Sequence, residues 1–113
     1  MDGKRFRAAL EYLAAKAPDS PAFGSKNVYI GEFGIPENEH GTTTSQTSTR
    51  RTVQEALAWG CPYVVYWQLY DNECERGKSD APGDCPGFWL IKPSGKKSAL
   101  WDLMRELLRP PAR

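Results

Sequence analysis

The stretch Asn27-Val-Tyr-Ile-Gly-Glu-Phe-Gly-Ile-Pro36 decides how this chain is interpreted. Its β-branched and aromatic residues favour a strand, and its glycines and proline end one. In the predicted strand, 27–33, the side chains of Val28, Ile30 and Glu32 share one face. An unpaired carboxylate costs several kcal/mol to bury, so a buried strand gains no stability from it. The stretch therefore predicts that Glu32 serves chemistry, and an ion pair with a nearby lysine or arginine is the alternative.

A second run of the same kind, Tyr63-Val-Val-Tyr-Trp-Gln-Leu-Tyr70, predicts a strand at 63–69. Its end brings Tyr66, Trp67 and Asp71 to the place where enzymes built from parallel strands hold their reacting groups. An acid after one strand and an indole after the next predict a sugar-binding floor. The alternative for Trp67 and Tyr66 is packing in the core.

Helical periodicity surrounds both runs. Glycine and proline end the helical segments, which we place at about 4–17, 45–59 and 96–108. The polar residues 36–44 are predicted to form a loop, and residues 71–87 a longer one that is functional or disordered. The order helix, strand, helix, strand, helix predicts an α/β fold with parallel strands.

The small number of strands has a consequence for assembly. Two parallel strands do not form a self-sufficient sheet, and their unpaired edges invite further strands. The sequence therefore predicts that another copy of the chain, or a segment outside it, completes the sheet.

Composition limits the remaining possibilities. The 113 residues suffice for a single domain over 1–113, and the net charge of +1 gives no electrostatic basis for binding nucleic acid or an anionic membrane. No apolar run is long enough to span a membrane, and the N-terminus lacks the apolar core of a signal peptide. We therefore expect either a cytoplasmic chain or an export signal outside this stretch. No metal or cofactor motif is present, and we expect neither group.

Three cysteines are present. Cys74 and Cys85 are close enough within one loop to form a disulfide, which leaves Cys61 over. Three free thiols are the alternative.

Three motifs carry a family resemblance: Ile30-Gly-Glu-Phe-Gly34, then Tyr66-Trp67 followed by Asp71-Asn72-Glu73, then Gly87-Phe-Trp-Leu-Ile-Lys-Pro-Ser-Gly-Lys-Lys97. In this order they resemble the seventh strand, the eighth strand and the terminal segment of retaining (β/α)8-barrel glycoside hydrolases, especially the cellulase-like family 5 and its clan. The resemblance runs over nearly the whole chain, but it covers only the last quarter or so of such a barrel.

The resemblance implies a partial barrel with a carbohydrate ligand, in which Glu32 is the nucleophile and Trp67 the sugar platform. The acid/base of that family is a glutamate after an asparagine at the end of the fourth strand. The two Asn-Glu pairs of this chain, Asn38-Glu39 and Asn72-Glu73, lie in loops after the segments that resemble the seventh and eighth strands. Retention needs two carboxylates about 5–5.5 Å apart. The chain is therefore expected to hold the nucleophile side of a site that another chain or segment completes. The alternative is a non-catalytic module that binds carbohydrate or assembles with itself.

Overall fold

The computed structural model of the chain describes residues 2–74 and 79–110. It combines helices with a parallel sheet, which confirms the α/β class. The elements in chain order are α1 Gly3–Lys16, β1 Ile30–Phe33, α2 Glu37–His40, α3 Thr42–Trp59, β2 Val64–Tyr66 and α4 Ala99–Leu107. The described residues separate into two compact units: unit 1 comprises 2–33 and 51–66, and unit 2 comprises 34–50 and the described residues from 67 onward.

Unit 1 begins with a capped helix. The Asp2 side chain accepts a hydrogen bond from the Arg5 backbone N–H at 2.8 Å, which satisfies one of the donors left open at the start of α1. At the other end, the Asn27 side-chain amide donates to carbonyl oxygens of the last turn and the residues after it: Ala14, Ala17 and Pro18. Asn27 thus closes the helix, and β1 begins at Ile30 and not at the predicted residue 27.

The core of unit 1 lies between the helices and one face of the sheet. Leu10 of α1 and the α3 residues Ala56 and Trp59 pack with Cys61, and Ile30 and Val64 close this cluster from the strands, together with Phe6, Ala14 and Val28. Apolar burial of this kind is the main stabilising contribution in a domain of this size.

The two strands pair in parallel, as the sequence predicts, with Ile30 opposite Val64 and Phe33 opposite Tyr66 and an irregular register between these pairs. Both predicted strands are too long. The segment after Tyr66 leaves the sheet, and within unit 2 the Leu69 carbonyl accepts hydrogen bonds from the backbone of Leu90 and Ile91.

The prediction of a loop at 36–44 is wrong, because this segment contains the short helix α2 and the start of α3. Gly41 separates the two helices with a φ of 83°, a conformation that glycine adopts without steric cost. The element order is therefore helix, strand, helix, helix, strand, helix. The last helix begins later than predicted because Lys97 still pairs with Ile91, and Ser98 is the N-terminal flanking residue of α4.

In the described part of the chain, each strand has a partner along only one edge. Val64 faces the helices, whereas Val65 points to the opposite face and is 49% exposed. Parallel sheets are normally covered on both faces. The described residues thus form a two-stranded piece of α/β sheet with an open face. Among them, no helix is long and apolar enough to cross a membrane.

Candidate functional site

Glu32 lies in β1 within unit 1. The expectation that it sits on a buried strand is wrong: Gly31 and Glu32 are exposed, and only their neighbours Ile30 and Phe33 are partly buried. In the described part of the chain, nothing forms a hydrogen bond or ion pair with the Glu32 carboxylate. The alternative of an ion pair is therefore not realised among these residues, and the Glu32 residue is exposed.

Tyr66 ends the neighbouring strand of the same unit. It is partly buried, lies opposite Phe33 in the parallel register, and meets the Phe33 ring edge to face with the centroids 5.5 Å apart. Edge-to-face aromatic contacts of this kind hold ring orientations. Unit 1 therefore places Glu32 and Tyr66 at the carboxyl ends of two paired parallel strands, as the sequence predicts.

Trp67 and Gly34 are the first residues of unit 2 after the two strands. A Cβ on Gly34 would overlap the Trp67 carbonyl oxygen and stand 2.8 Å from a ring carbon of Phe88, so only glycine fits there. Trp67 is partly buried, and its peptide bond to Gln68 is cis. With its amide oxygen turned toward the indole, Gln68 accepts the Trp67 N–H at 3.0 Å. Part of the indole surface stays accessible.

Asp71 organises the loop that follows Trp67. One of its oxygens accepts hydrogen bonds from the backbone N–H groups of Gly87 at 2.8 Å and Phe88 at 3.0 Å, and the other from that of Glu73 at 2.9 Å. A carboxylate bound by several backbone N–H groups is a strong structural anchor. The structure therefore gives Asp71 a loop-closing role that the sequence did not reveal, and its role in sugar binding stays a prediction.

Among the residues that the structure describes, the buried carboxylate is that of Glu37, which the sequence analysis missed. Glu37 is 8% exposed. Its oxygens accept the Trp89 indole N–H at 2.6 Å and the Thr42 hydroxyl at 2.8 Å, and the Lys92 ammonium lies 3.8 Å away. A tryptophan inside an apolar run needs an acceptor for its N–H when it is buried. That requirement at Trp89 was the signal that an acceptor must reach it, and in the structure this acceptor is Glu37.

The long loop is held at further points. The Asn38 side-chain amide donates to the backbone carbonyls of Asp80 at 3.1 Å and Cys85 at 2.9 Å. Cys85 forms a disulfide with Cys74, which is one of the two outcomes that the spacing allowed. The described parts of the predicted 71–87 loop are therefore ordered by covalent and polar contacts, and residues 75–78 lie outside the described residues.

The remaining cysteine, Cys61, is buried in the core of unit 1. Burial raises the pKa of its thiol, against the smaller opposing influence of the Lys26 charge. A buried thiol with a raised pKa has little of the thiolate form that reacts. Cys61 is therefore a packing residue.

The acids of unit 1 other than Glu32 belong to its helices and to the loop at Asp19. Asp2 caps α1, Glu11 pairs with Arg7 at 3.3 Å, and Glu55 of α3 lies against Gly3. Among the residues that the structure describes, no three histidine, cysteine or acidic side chains cluster to hold a metal ion. The chemistry available at the strand ends of unit 1 is therefore that of one exposed carboxylate and its aromatic neighbours.

Comparison of the chain with protein-family models, with curated proteins and with solved structures found no match.

Proposed function

We propose that this chain carries the nucleophile side of a retaining glycoside-cleaving site, with Glu32 as the nucleophile and Trp67 as the sugar platform. The observation that carries the proposal is the state of Glu32: an exposed carboxylate in a parallel strand, between two glycines, with no partner among the described residues. The positions of Tyr66 and Trp67 directly at the end of the paired strand add support. Asp71 shapes the loop beside the platform and is a further candidate contact for the sugar.

The chemistry assigns one role to Glu32. A carboxylate oxygen attacks the anomeric carbon and forms a glycosyl ester, while a second carboxyl group protonates the leaving oxygen. Water, activated by that second group, then hydrolyses the ester and frees Glu32. Since one carboxylate supplies only half of this sequence, the chain alone is expected to turn over poorly or not at all.

We propose that another copy of the chain completes the site. The unpaired edges of β1 and β2 and the exposed Val65 support association through the sheet. Four copies would supply eight strands, a number that closes a barrel; a dimer with a four-stranded sheet is the simpler alternative. Light scattering at high protein concentration should give a mass above that of the single chain, and a monomer under those conditions would refute the association.

The test of the nucleophile uses substrates with activated leaving groups. The dinitrophenolate of a 2,4-dinitrophenyl 2-deoxy-2-fluoro-β-glucoside or cellobioside leaves with little protonation. Such a substrate should therefore label Glu32 even where the acid is missing. Mass spectrometry of the labelled peptide should locate the ester on Glu32. The label should be absent in Glu32→Gln, which keeps the shape but removes the nucleophile, and present in the control Glu39→Gln. Turnover by a proven monomer that is unaffected by Glu32→Gln would show that the wrong residue is assigned.

A non-catalytic carbohydrate-binding or self-assembling module is the second candidate. It is favoured by the other acids of unit 1, because cleavage needs a second carboxylate and Asp2 and Glu11 are engaged in α1. Such a module would bind an oligosaccharide through Trp67 without forming an ester. Binding that is lost in Trp67→Ala but kept in Glu32→Gln, with no labelling of wild type, would decide for it.

A further inference from the structure

Unit 1 contains a cavity of about 540 Å³ beside the residues that lead into β1 and β2. Its volume lies within the roughly 300–1,000 Å³ that pockets for small ligands occupy. The residues that line it include Phe23, Lys26, Tyr29, Pro62 and Tyr63. Tyr29 and Tyr63 precede the strands and Glu32 is not among the lining residues, so this cavity is separate from the carboxylate described above.

The cavity is built from aromatic rings that unit 1 leaves uncovered. Phe23, Tyr29 and Tyr63 are 45%, 60% and 58% exposed; the first two lie in the connection between α1 and β1, and Tyr63 directly precedes β2. Tyr63 stands between the other two, edge to face with Phe23 at 5.8 Å and with Tyr29 at 6.3 Å between centroids. Edge-to-face packing leaves ring faces free for a further ring. Exposed aromatic clusters of this kind mark binding sites.

Lys26 is the one charged residue among those that line the cavity. Its ammonium stands 4.3 Å from the centre of the Trp59 ring, so a cation–π contact holds it in place. Among the described residues, no carboxylate lies within ion-pair distance of it. The cavity therefore offers a positioned positive charge that an anion would neutralise.

Two of the other polar side chains of the lining, Ser20 and Asn27, hold the local backbone. The Ser20 hydroxyl accepts from the backbone N–H groups of Ala22 and Phe23, at 3.3 and 3.1 Å. The Asn27 amide nitrogen donates to the backbone around the end of α1. The lining combines three exposed aromatic rings with the one charged residue Lys26, which suits a ligand with an apolar, planar body and one negative charge.

We propose that this cavity binds a small aromatic carboxylate. The ring of the ligand packs among Phe23, Tyr29 and Tyr63, and its carboxylate forms a charge-assisted hydrogen bond with the Lys26 ammonium. This site does not depend on the proposed role of Glu32.

The test compares two fluorescent probes of nearly equal shape, 2-naphthoate and the neutral 2-naphthalenemethanol, by fluorescence titration of the intact chain. Wild type should bind the acid saturably and about tenfold more tightly than the alcohol, since one such charge contact contributes on the order of 1.4 kcal/mol. Lys26→Met keeps the apolar stem and should remove the preference for the acid. The matched control Lys96→Met, a lysine of unit 2 outside the cavity, should leave it unchanged. Tyr63→Leu should weaken both probes.

Several outcomes overturn the proposal. Equal affinity of wild type for acid and alcohol would exclude the role of the charge, and this comparison needs no variant. A preference for the acid that survives in Lys26→Met would place the anion elsewhere. Binding of the acid only below the concentration at which light scattering detects a larger assembly would show that a second copy of the chain covers the rings.

Discussion

Glu32 and Glu37 lie close together in the sequence, and the structure treats them in opposite ways. Glu32 in unit 1 is exposed, and no described residue engages its carboxylate. Glu37 in unit 2 is buried and accepts hydrogen bonds from an indole and a hydroxyl. Burial with partners is what a structural carboxylate requires, whereas exposure without partners leaves a carboxylate free to react. The comparison teaches that the carboxylate to test for chemistry is the one the fold does not use.

The contrast extends to the acids around the long loop of unit 2. Asp71 binds backbone N–H groups, and Asp80 binds both the backbone N–H and the hydroxyl of Ser94. Each joins two segments that are distant in the sequence. Asp71 and Asp80 therefore stabilise loops, and their removal should affect folding before it affects any ligand.

The largest effect is expected from Glu37→Ala. It leaves the buried Trp89 indole N–H and the Thr42 hydroxyl without their acceptor, so the free energy of unfolding should fall by about 3 kcal/mol. Urea denaturation followed by tryptophan fluorescence measures it.

The matched controls are Glu39→Ala and Glu32→Ala, both at exposed positions. Each should change the free energy of unfolding by less than about 0.5 kcal/mol. A loss in Glu32→Ala as large as that in Glu37→Ala would break the comparison, because Glu32 would then serve the fold.

Loss of the disulfide should rank second. The double substitution Cys74→Ser with Cys85→Ser removes a constraint on the unfolded chain across a sequence separation of 11 residues. We expect the free energy of unfolding to fall by about 2–3 kcal/mol. Wild type treated with dithiothreitol should show a similar loss, and equal stability of the oxidised and reduced proteins would contradict the prediction.

Asp71→Ala should have an intermediate effect. The backbone N–H groups of Gly87 and Phe88 lose a charged acceptor at a partly buried position, which should lower the free energy of unfolding by about 1–2 kcal/mol. Glu73→Ala is the control, because it keeps the backbone N–H that Asp71 binds and removes only an exposed side chain. If the two variants are equally stable, the loop is not anchored by Asp71.

The smallest effect concerns pH. The Ser94 hydroxyl is the main cause that holds the pKa of Asp80 below its usual value, with the Ser94 N–H and the charges of Lys92 and Lys96 adding to it. Because the folded pKa is lowered, the stability from this contact is present above the unfolded pKa and is lost as pH falls through the folded one. Carboxyl carbon NMR should show the Asp80 pKa rising toward its ordinary value in Ser94→Ala, with little effect in Ser79→Ala.

The parallel strands were predictable from the sequence, and the reason is periodicity. Two apolar runs separated by a helical segment leave little choice of topology, and the structure pairs Ile30 with Val64 accordingly. The strand limits were not predictable. The Asn27 side chain binds carbonyl oxygens at the end of α1, and the Leu69 carbonyl accepts from the backbone of residues 90 and 91. Both strands are therefore shorter than their apolar runs.

The positions of the candidate residues Glu32 and Tyr66 at the strand ends were predictable, and the contacts of the structural acids Glu37 and Asp71 were not. Glu32 and Tyr66 follow from their positions in the runs, because a strand end is a local property. Glu37 and Asp71 depend on contacts with residues 89, 87 and 88, which are distant in the sequence. No local pattern marks such a pair. The need of a buried indole for an acceptor is the only signal that points toward Glu37.

The Cys74–Cys85 bond has a consequence for where the chain matures in a cell. Glutathione and thioredoxin keep thiols of ordinary cytosolic proteins reduced, whereas the periplasm, the endoplasmic reticulum and the extracellular space allow disulfides to persist. We therefore expect the chain to carry this disulfide when it is made in an oxidising compartment. Alkylation under denaturing conditions should then find Cys61 as the one reactive thiol, whereas chain made in a reducing cytosol should also react at Cys74 and Cys85. The same pattern of alkylation from both sources would contradict this expectation.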